Sequence, residues 1–185
     1  MKKIPTVFKR NPDDMKHVLP EVTPGCEWVL AGEGRATRKY DGTCVLARDG
    51  VLYKRREFKD GKPVPPDFQE ADYDPNTGKH VGWVPVDPTD KGDRWYCEVV
   101  APDSPTNCGV LDGTYELCGP KVQGNPEGFE KHVLVPHEAA ERYPALDNPQ
   151  GYDELEKALT ALQWEGIVWH HPDGRMAKLK RRDFV

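Results

Sequence analysis

Five short segments of this 185-residue chain carry the side chains best suited to chemistry. Lys39-Tyr40-Asp41-Gly42 sets an amine beside an Asp-Gly turn, and Lys54-Arg55-Arg56 follows on the next expected strand. Tyr115-Glu116-Leu117-Cys118-Gly119, Glu165-Gly166-Ile167-Val168 and Lys178-Leu179-Lys180 come later, in that order. Amines and guanidinium groups in such clusters suit the binding of phosphate and other anions. Each segment also has an ordinary reading: an exposed lysine at a turn, a charged strand face that discourages edge pairing, a surface salt-bridge ladder. The last two segments give a geometric expectation. If the loop joining them has an even number of residues, Glu165 and Ile167 share a face with Lys178 and Lys180, while Val168, Ala177 and Leu179 face the core. One carboxylate would then lie beside two ammonium groups.

These segments need elements to hold them, and most of the chain reads as short strands between turn signals. Strands are expected at 26–31, at 35–48 and 51–58 around an Asp49-Gly50 hairpin turn, and at 80–86, 94–101, 113–118 and 131–136. Four prolines and Asn76-Thr77-Gly78 make 59–79 an expected exposed loop. A last hairpin is expected from 165–170 and 175–180 around His171-Pro172-Asp173-Gly174. The clear helix is 152–163, where Leu155, Ala158, Leu159 and Leu162 recur on one face. No repeat or low-complexity segment divides the chain, so residues 1–185 read as a single domain. The fold class is α+β, with antiparallel sheets and flanking helices.

Composition narrows the function classes. Charged residues make up 31% and hydrophobic ones 37%, and no run approaches the ~20 apolar residues of a membrane span. The N-terminus has no apolar run of a secretory signal, so a cytoplasmic protein without a membrane partner is expected. Five cysteines (Cys26, Cys44, Cys97, Cys108, Cys118), with no Cys-x-x-Cys pair, argue against a zinc site and a disulfide framework. The net charge of −5 is unusual for a nucleic-acid binder. Its distribution leaves room for a cationic groove on an acidic body, with basic clusters at Lys9-Arg10, Arg35/Arg38/Lys39, Lys54-Arg55-Arg56 and Lys178 to Arg182.

In their order, the five segments resemble nucleotidyltransferase motifs I, Ia, III, IV and V of the covalent nucleotidyltransferase superfamily, the ATP-dependent ligases and capping enzymes. The resemblance runs from about residue 33 to 182. It implies a nucleotidyltransferase (adenylation) domain in which Lys39 attacks the α-phosphate of ATP, forms lysyl-AMP and releases pyrophosphate. Attack needs a neutral amine, whereas a free lysine has a pKa of about 10.4. Crowding by Arg38, Lys178, Lys180 and a divalent metal would lower it. Asp41 and Gly42 would shape the turn, Glu116 would bind the ribose, and either Arg55 or Arg56 would contact ribose or phosphate. Lys178 and Lys180 would hold the α-phosphate, and Glu165 would hold Mg²⁺ (or Mn²⁺). The roles of Glu98, Phe129, His132 and His137 stay open: a second metal ligand, an adenine stack, or structure.

Only Arg181 to Val185 follow Lys180, so the OB-fold domain of DNA ligases and capping guanylyltransferases is not expected. The Lys-Tyr-Asp-Gly-Thr-Cys context, and Gly119 to Asn125 after the glutamate motif, look closest to compact stand-alone 5′-to-3′ RNA ligases. The partner would be RNA with 5′-phosphate and 3′-hydroxyl ends, with no obligate protein partner. The alternatives are a DNA ligase or capping guanylyltransferase domain completed by a partner, or a non-catalytic nucleotide- or RNA-binding relative.

Overall fold

Asp49 and Gly50 both adopt left-handed backbone conformations (φ 51° and 76°), the geometry that a two-residue hairpin turn demands. They join the strands Thr43–Arg48 and Val51–Lys59 in a computed structural model that describes residues 3–100 and 109–184. In chain order the elements are β1 (Phe8–Arg10), β2 (Val18–Val22), α1 (Glu27–Leu30), β3 (Arg35–Lys39), β4 (Thr43–Arg48), β5 (Val51–Lys59), β6 (Gln69–Asp74) and β7 (Lys79–Pro85). Then follow α2 (Arg94–Cys97), β8 (Gly113–Cys118), β9 (Val133–Pro136), α3 (Tyr152–Ala161), β10 (Gly166–His170) and β11 (Met176–Lys180). The arrangement is α+β with antiparallel sheets and few, short helices. It groups into two compact units: Met1–Lys3 with Asp41–Ala139, and Ile4–Tyr40 with Ala140–Val185. Among the described residues no helix is long and apolar enough to cross a membrane.

The unit built around Asp41–Ala139 is one six-stranded antiparallel sheet, ordered β6-β7-β5-β4-β8-β9. Alternation along β4 buries Val45 and Ala47, and the ladders set Tyr115 opposite Val45 and Leu52 opposite Ala47. With Leu117, Tyr96 and Val122 these side chains form the core, each buried Val or Leu contributing on the order of 1.5–3 kcal/mol. Two expectations fail here. The 59–79 loop contains β6, whose Gln-Glu-Ala-Asp-Tyr-Asp sequence leaves no apolar face to read; it forms an edge strand on β7. The expected strand at 94–101 begins instead as α2, where Tyr96 alone is buried. A 3₁₀ turn over Lys91–Asp93 starts this helix, and Asp90 caps that turn by accepting the Gly92 N–H. Cys108 lies outside the described residues, as does residue 101.

The other unit carries the three-stranded sheet β11-β10-β3 and the β1-β2 hairpin. Ala36, Ile167, Trp169, Ala177 and Leu179 form one fully buried sheet face. They share a core with Leu155 and Leu159 of α3, and with Val7, Phe8, Trp28 and Val29. The spacing that predicted α3 is the spacing that buries it. Residues 26–31, expected as a strand, instead hold α1, a single helical turn that buries the consecutive pair Trp28 and Val29. The chain ahead of β1 is zipped onto β11: Val7 N–H donates to the Lys178 carbonyl (3.0 Å), and Lys178 N–H to the Pro5 carbonyl (2.9 Å).

Candidate active site

β10 lies between β3 and β11, and its register sets Gly166 opposite both Lys39 and Lys180. Thr37, Val168 and Lys178 make the next row on the same face. The opposite face is the buried one, so Lys39, Lys178 and Lys180 all point away from the core. This corrects the expected facing: Val168 shares the lysine face, and Ile167 is a core residue. The joining loop has five residues, His171 to Arg175, because His171 N–H donates to the Arg175 carbonyl (2.9 Å) and Asp173 accepts the Arg175 N–H. An odd loop pairs odd positions with odd ones.

Glu165 reaches the lysines all the same. It stands one residue before the ladder, where alternation no longer fixes its direction. Its carboxylate, with only 8% of the side chain exposed, pairs with Lys180 Nζ through Oε1 (2.5 Å) and with Lys39 Nζ through Oε2. Lys39 Nζ also donates to the Tyr40 carbonyl at 3.4 Å. Gly166 leaves room for this: a Cβ there would collide with the Leu179 carbonyl and press on Lys180 Cα. Burial alone would raise the Glu165 pKa, but Lys39 and Lys180 outweigh it and hold the carboxyl below its usual range. Burial, together with the charges of Lys180 and Lys39, pushes Lys178 down to about 8. Arg38 occupies the other side of β3, against Tyr40, Trp164 and Glu141, and is not brought to the lysine face.

The second group of expected site residues lies on the six-stranded sheet. Glu116 is opposite Cys44 in the ladder, on the face away from Val45 and Tyr115. One of its oxygens accepts the Gly42 N–H (3.1 Å), and the other meets His137 Nε2 (3.0 Å). The remaining ring nitrogen of His137 meets Thr114 Oγ1 at 3.0 Å. Asp41 N–H donates to Glu127 (2.8 Å), and a Cβ at Gly42 would strike the Leu117 carbonyl, so the Asp-Gly turn sits tightly against β8. Register also separates the two arginines left open by sequence. Lys54 is opposite Val45 on the core face, so Arg55 shares the Cys44–Glu116 face and Arg56 does not. Lys54 is buried in an ion pair with Asp93 (2.5 Å) and is structural.

No family model matches the chain. It is 31% identical to RNA ligase 1 of Rattus norvegicus over 155 aligned positions, covering 69% of this chain and 45% of that protein. RNA ligase 1 of Danio rerio is 31% identical over 157 positions, and that of Pongo abelii 29% over 155, again covering 69% of this chain. This chain is a relative of RNA ligases. It spans less than half the length of the relatives it matches.

Among the described residues of this RNA ligase relative, two places with metal-ligating chemistry stand out. Glu165 is the carboxylate that pairs directly with Lys39 and Lys180, a hard oxygen donor beside groups suited to phosphate. Cys44, Glu116 and His137 bring their ligand atoms within 4.8 Å of one another, a softer set that sequence reading missed because only the β4–β8 and β8–β9 registers join it. Glu98 is engaged by His132 (2.6 Å), whose ring stacks on Trp95. Phe129 is half-buried, with its N–H donated to Asn125 Oδ1 (3.1 Å).

Proposed function

We propose that this chain is the nucleotidyltransferase (adenylation) part of an ATP-dependent RNA ligase, with Lys39 as its nucleophile. The observation that carries the reading is the row Lys39–Glu165–Lys180, drawn from three distant segments onto one sheet face. In the first step the Lys39 nitrogen bonds to the α-phosphorus of ATP and the bond to the bridging oxygen breaks. Pyrophosphate leaves, and the ammonium gives up two protons to solvent. Lys180 and Lys178 neutralise charge that builds on the phosphoryl oxygens, in a partly buried setting where such charges act strongly. Glu165 holds the amine in line until attack and loses one of its two cationic partners once the Lys39 nitrogen carries AMP as a phosphoramidate.

That vacated carboxylate oxygen, with phosphate oxygens, fits a divalent ion. Glu165 would hold it, and Mg²⁺ or Mn²⁺ would supply neutralisation of phosphate charge. Glu116, already aimed by Gly42 and His137, is the residue proposed to bind the ribose, and Arg55 rather than Arg56 is proposed to contact the nucleotide. An RNA 5′-phosphate then displaces Lys39 from AMP, and a 3′-hydroxyl displaces AMP from the adenylated end.

The test is incubation with ATP labelled on the α-phosphate, with Mg²⁺, followed by a denaturing gel. The label should stay on the wild-type chain, disappear with Lys39→Ala, and be discharged by 5′-phosphorylated RNA. Labelling of Lys39→Ala at the wild-type level would exclude Lys39, and labelling by GTP in place of ATP would point to capping chemistry.

A further inference from the structure

The lysine face does not end at Lys180. An open cleft of about 560 Å³ continues from Lys178 and Lys180 along the β1–β2 hairpin, where Arg10 and Lys16 line it, to Arg182 beyond β11. Five cations therefore face one space, on a chain whose net charge is −5. The single carboxylate of the lining, Asp183, is buried and already neutralised by Arg10 at 2.8 Å. Arg10 is fixed a second time by donating to the Lys16 carbonyl (2.8 Å), which also sets the hairpin loop in place. The backbone bonds between 5–7 and Lys178 tie this hairpin to the lysine strand. The cleft is thus a built feature in which cations outnumber carboxylates: Asp183 is paired with Arg10 and Glu165 with Lys180, while Lys16, Lys178 and Arg182 add further positive charge.

We propose that this cleft binds the sugar-phosphate backbone of the RNA strand whose 5′ end receives AMP. The proposal rests on the ligase reading above. Two features favour a strand over the triphosphate tail of ATP. First, the cations are graded: Lys178 and Lys180, at the inner end beside Glu165, are part-buried, while Lys16 and Arg182 at the outer rim are exposed. A terminal 5′-phosphate carries up to two charges and suits the inner, poorly solvated end. Backbone diesters carry one each and suit a solvated rim. Second, the lining offers no Phe, Tyr or Trp ring; its other members are His17 and Met15. With no large aromatic platform for base stacking, and with the His17 imidazole held by Asp14 (2.6 Å), the cleft reads phosphates, and its binding is indifferent to sequence.

The experiment compares the full chain with Lys16→Glu/Arg182→Glu, both exposed positions, and with the milder Lys16→Gln/Arg182→Gln pair as a control for folding. Three readouts are taken: lysyl-AMP formed from labelled ATP, the rate at which 5′-phosphorylated RNA discharges preformed adduct, and RNA binding by anisotropy across a salt series. Expected are unchanged adduct formation, at least tenfold slower discharge for the Glu pair, and a log K against log[salt] slope shallower by about 1.4, from ~0.7 per lost single-strand phosphate contact. Affinities for U-rich and mixed RNA should agree within a few fold. The proposal is overturned if adduct formation falls while discharge is spared, which would give the cleft to the ATP tail, or if no readout changes. A wild-type chain that forms no adduct at all would sink the ligase reading instead, and the anisotropy arm would still decide the cleft.

Discussion

Lys178 offers the most direct test of the electrostatics. Its pKa falls from 10.5 to about 8, first through burial and then through Lys180 and Lys39. At about 1.4 kcal/mol per pH unit, the cation costs the folded state about 3 kcal/mol relative to an unperturbed lysine. Below pH 8 Lys178 is protonated both folded and unfolded, and the whole penalty is present. Between pH 8 and 10.5 the unfolded chain holds the proton and the folded chain does not, so stability rises with pH and the penalty is removed. Lys178→Met keeps the stem and deletes the charge. It should therefore raise stability at pH 7 by up to about 3 kcal/mol, or roughly 6–12 °C in Tm for a chain of this size. The gain over wild type should shrink to near zero by pH 11. Paired melts at pH 7, 9 and 11 measure the difference, and pyrophosphate at pH 7 should narrow it by relieving the same repulsion. A variant that is less stable than wild type at pH 7, or a gain that stays constant across the series, would refute the reasoning.

Other outcomes follow from register and burial. Arg55→Ala should raise the ATP concentration needed for half-maximal adduct formation by roughly tenfold, at about 1.4 kcal/mol for a lost charged contact, while Arg56→Ala leaves it unchanged. Equal effects in a titrated labelling assay would reject the face assignment. Asp93→Asn should cost about 3–5 kcal/mol by leaving Lys54 buried and unpaired, whereas Lys54→Met with Asp93→Leu should restore most of that stability in denaturant melts. Failure of the double variant to recover would mean that Asp93 acts mainly through its bond to the Asp87 N–H (2.9 Å).

Local chemistry was the legible part of the sequence. Asp49-Gly50 could only turn tightly, and Leu155, Ala158, Leu159 and Leu162 could only bury one side of a helix. Lys39, Glu165 and Lys180 could be named from their motifs. What sequence could not supply was register. One residue decides whether the last loop holds four or five, and Arg175 left the strand because Asp173 and His171 claim its hydrogen bonds. That single residue exchanged the roles of Ile167 and Val168. Register likewise separates Arg55 from Arg56 and brings Cys44 to Glu116, and no local pattern carries either fact. The partner of Lys54 was illegible for another reason. Asp93 lies 39 positions away in a polar stretch, and only its burial marks it. Short helices such as α1 and α2 escape because four residues carry too little periodicity to oppose a strand reading.

The lysine face is held at odds with its own stability. Lys39 and Lys180 both pair with Glu165 and Lys178 lies beside them, and the cleft beyond adds Arg10, Lys16 and Arg182 against one further carboxylate, Asp183, which pairs with Arg10. Each protonated neighbour raises the free energy of the others, most visibly at Lys178. An incoming phosphate relieves all of them together, so binding of the anion, protonation of Lys178 and stability of this unit are thermodynamically linked. Anions should therefore raise the Lys178 pKa by the same free energy that protonation adds to their affinity, as reciprocity between two binding equilibria requires. In the proposed mechanism, consumption of Lys39 would remove one positive charge from the row and free one oxygen of Glu165 in the same event. The site that followed would be less cationic and would release pyrophosphate more readily than the site that preceded it. On that proposal the arrangement would favour tight capture before attack and easier departure afterwards, with the charge of Lys39 itself as the variable.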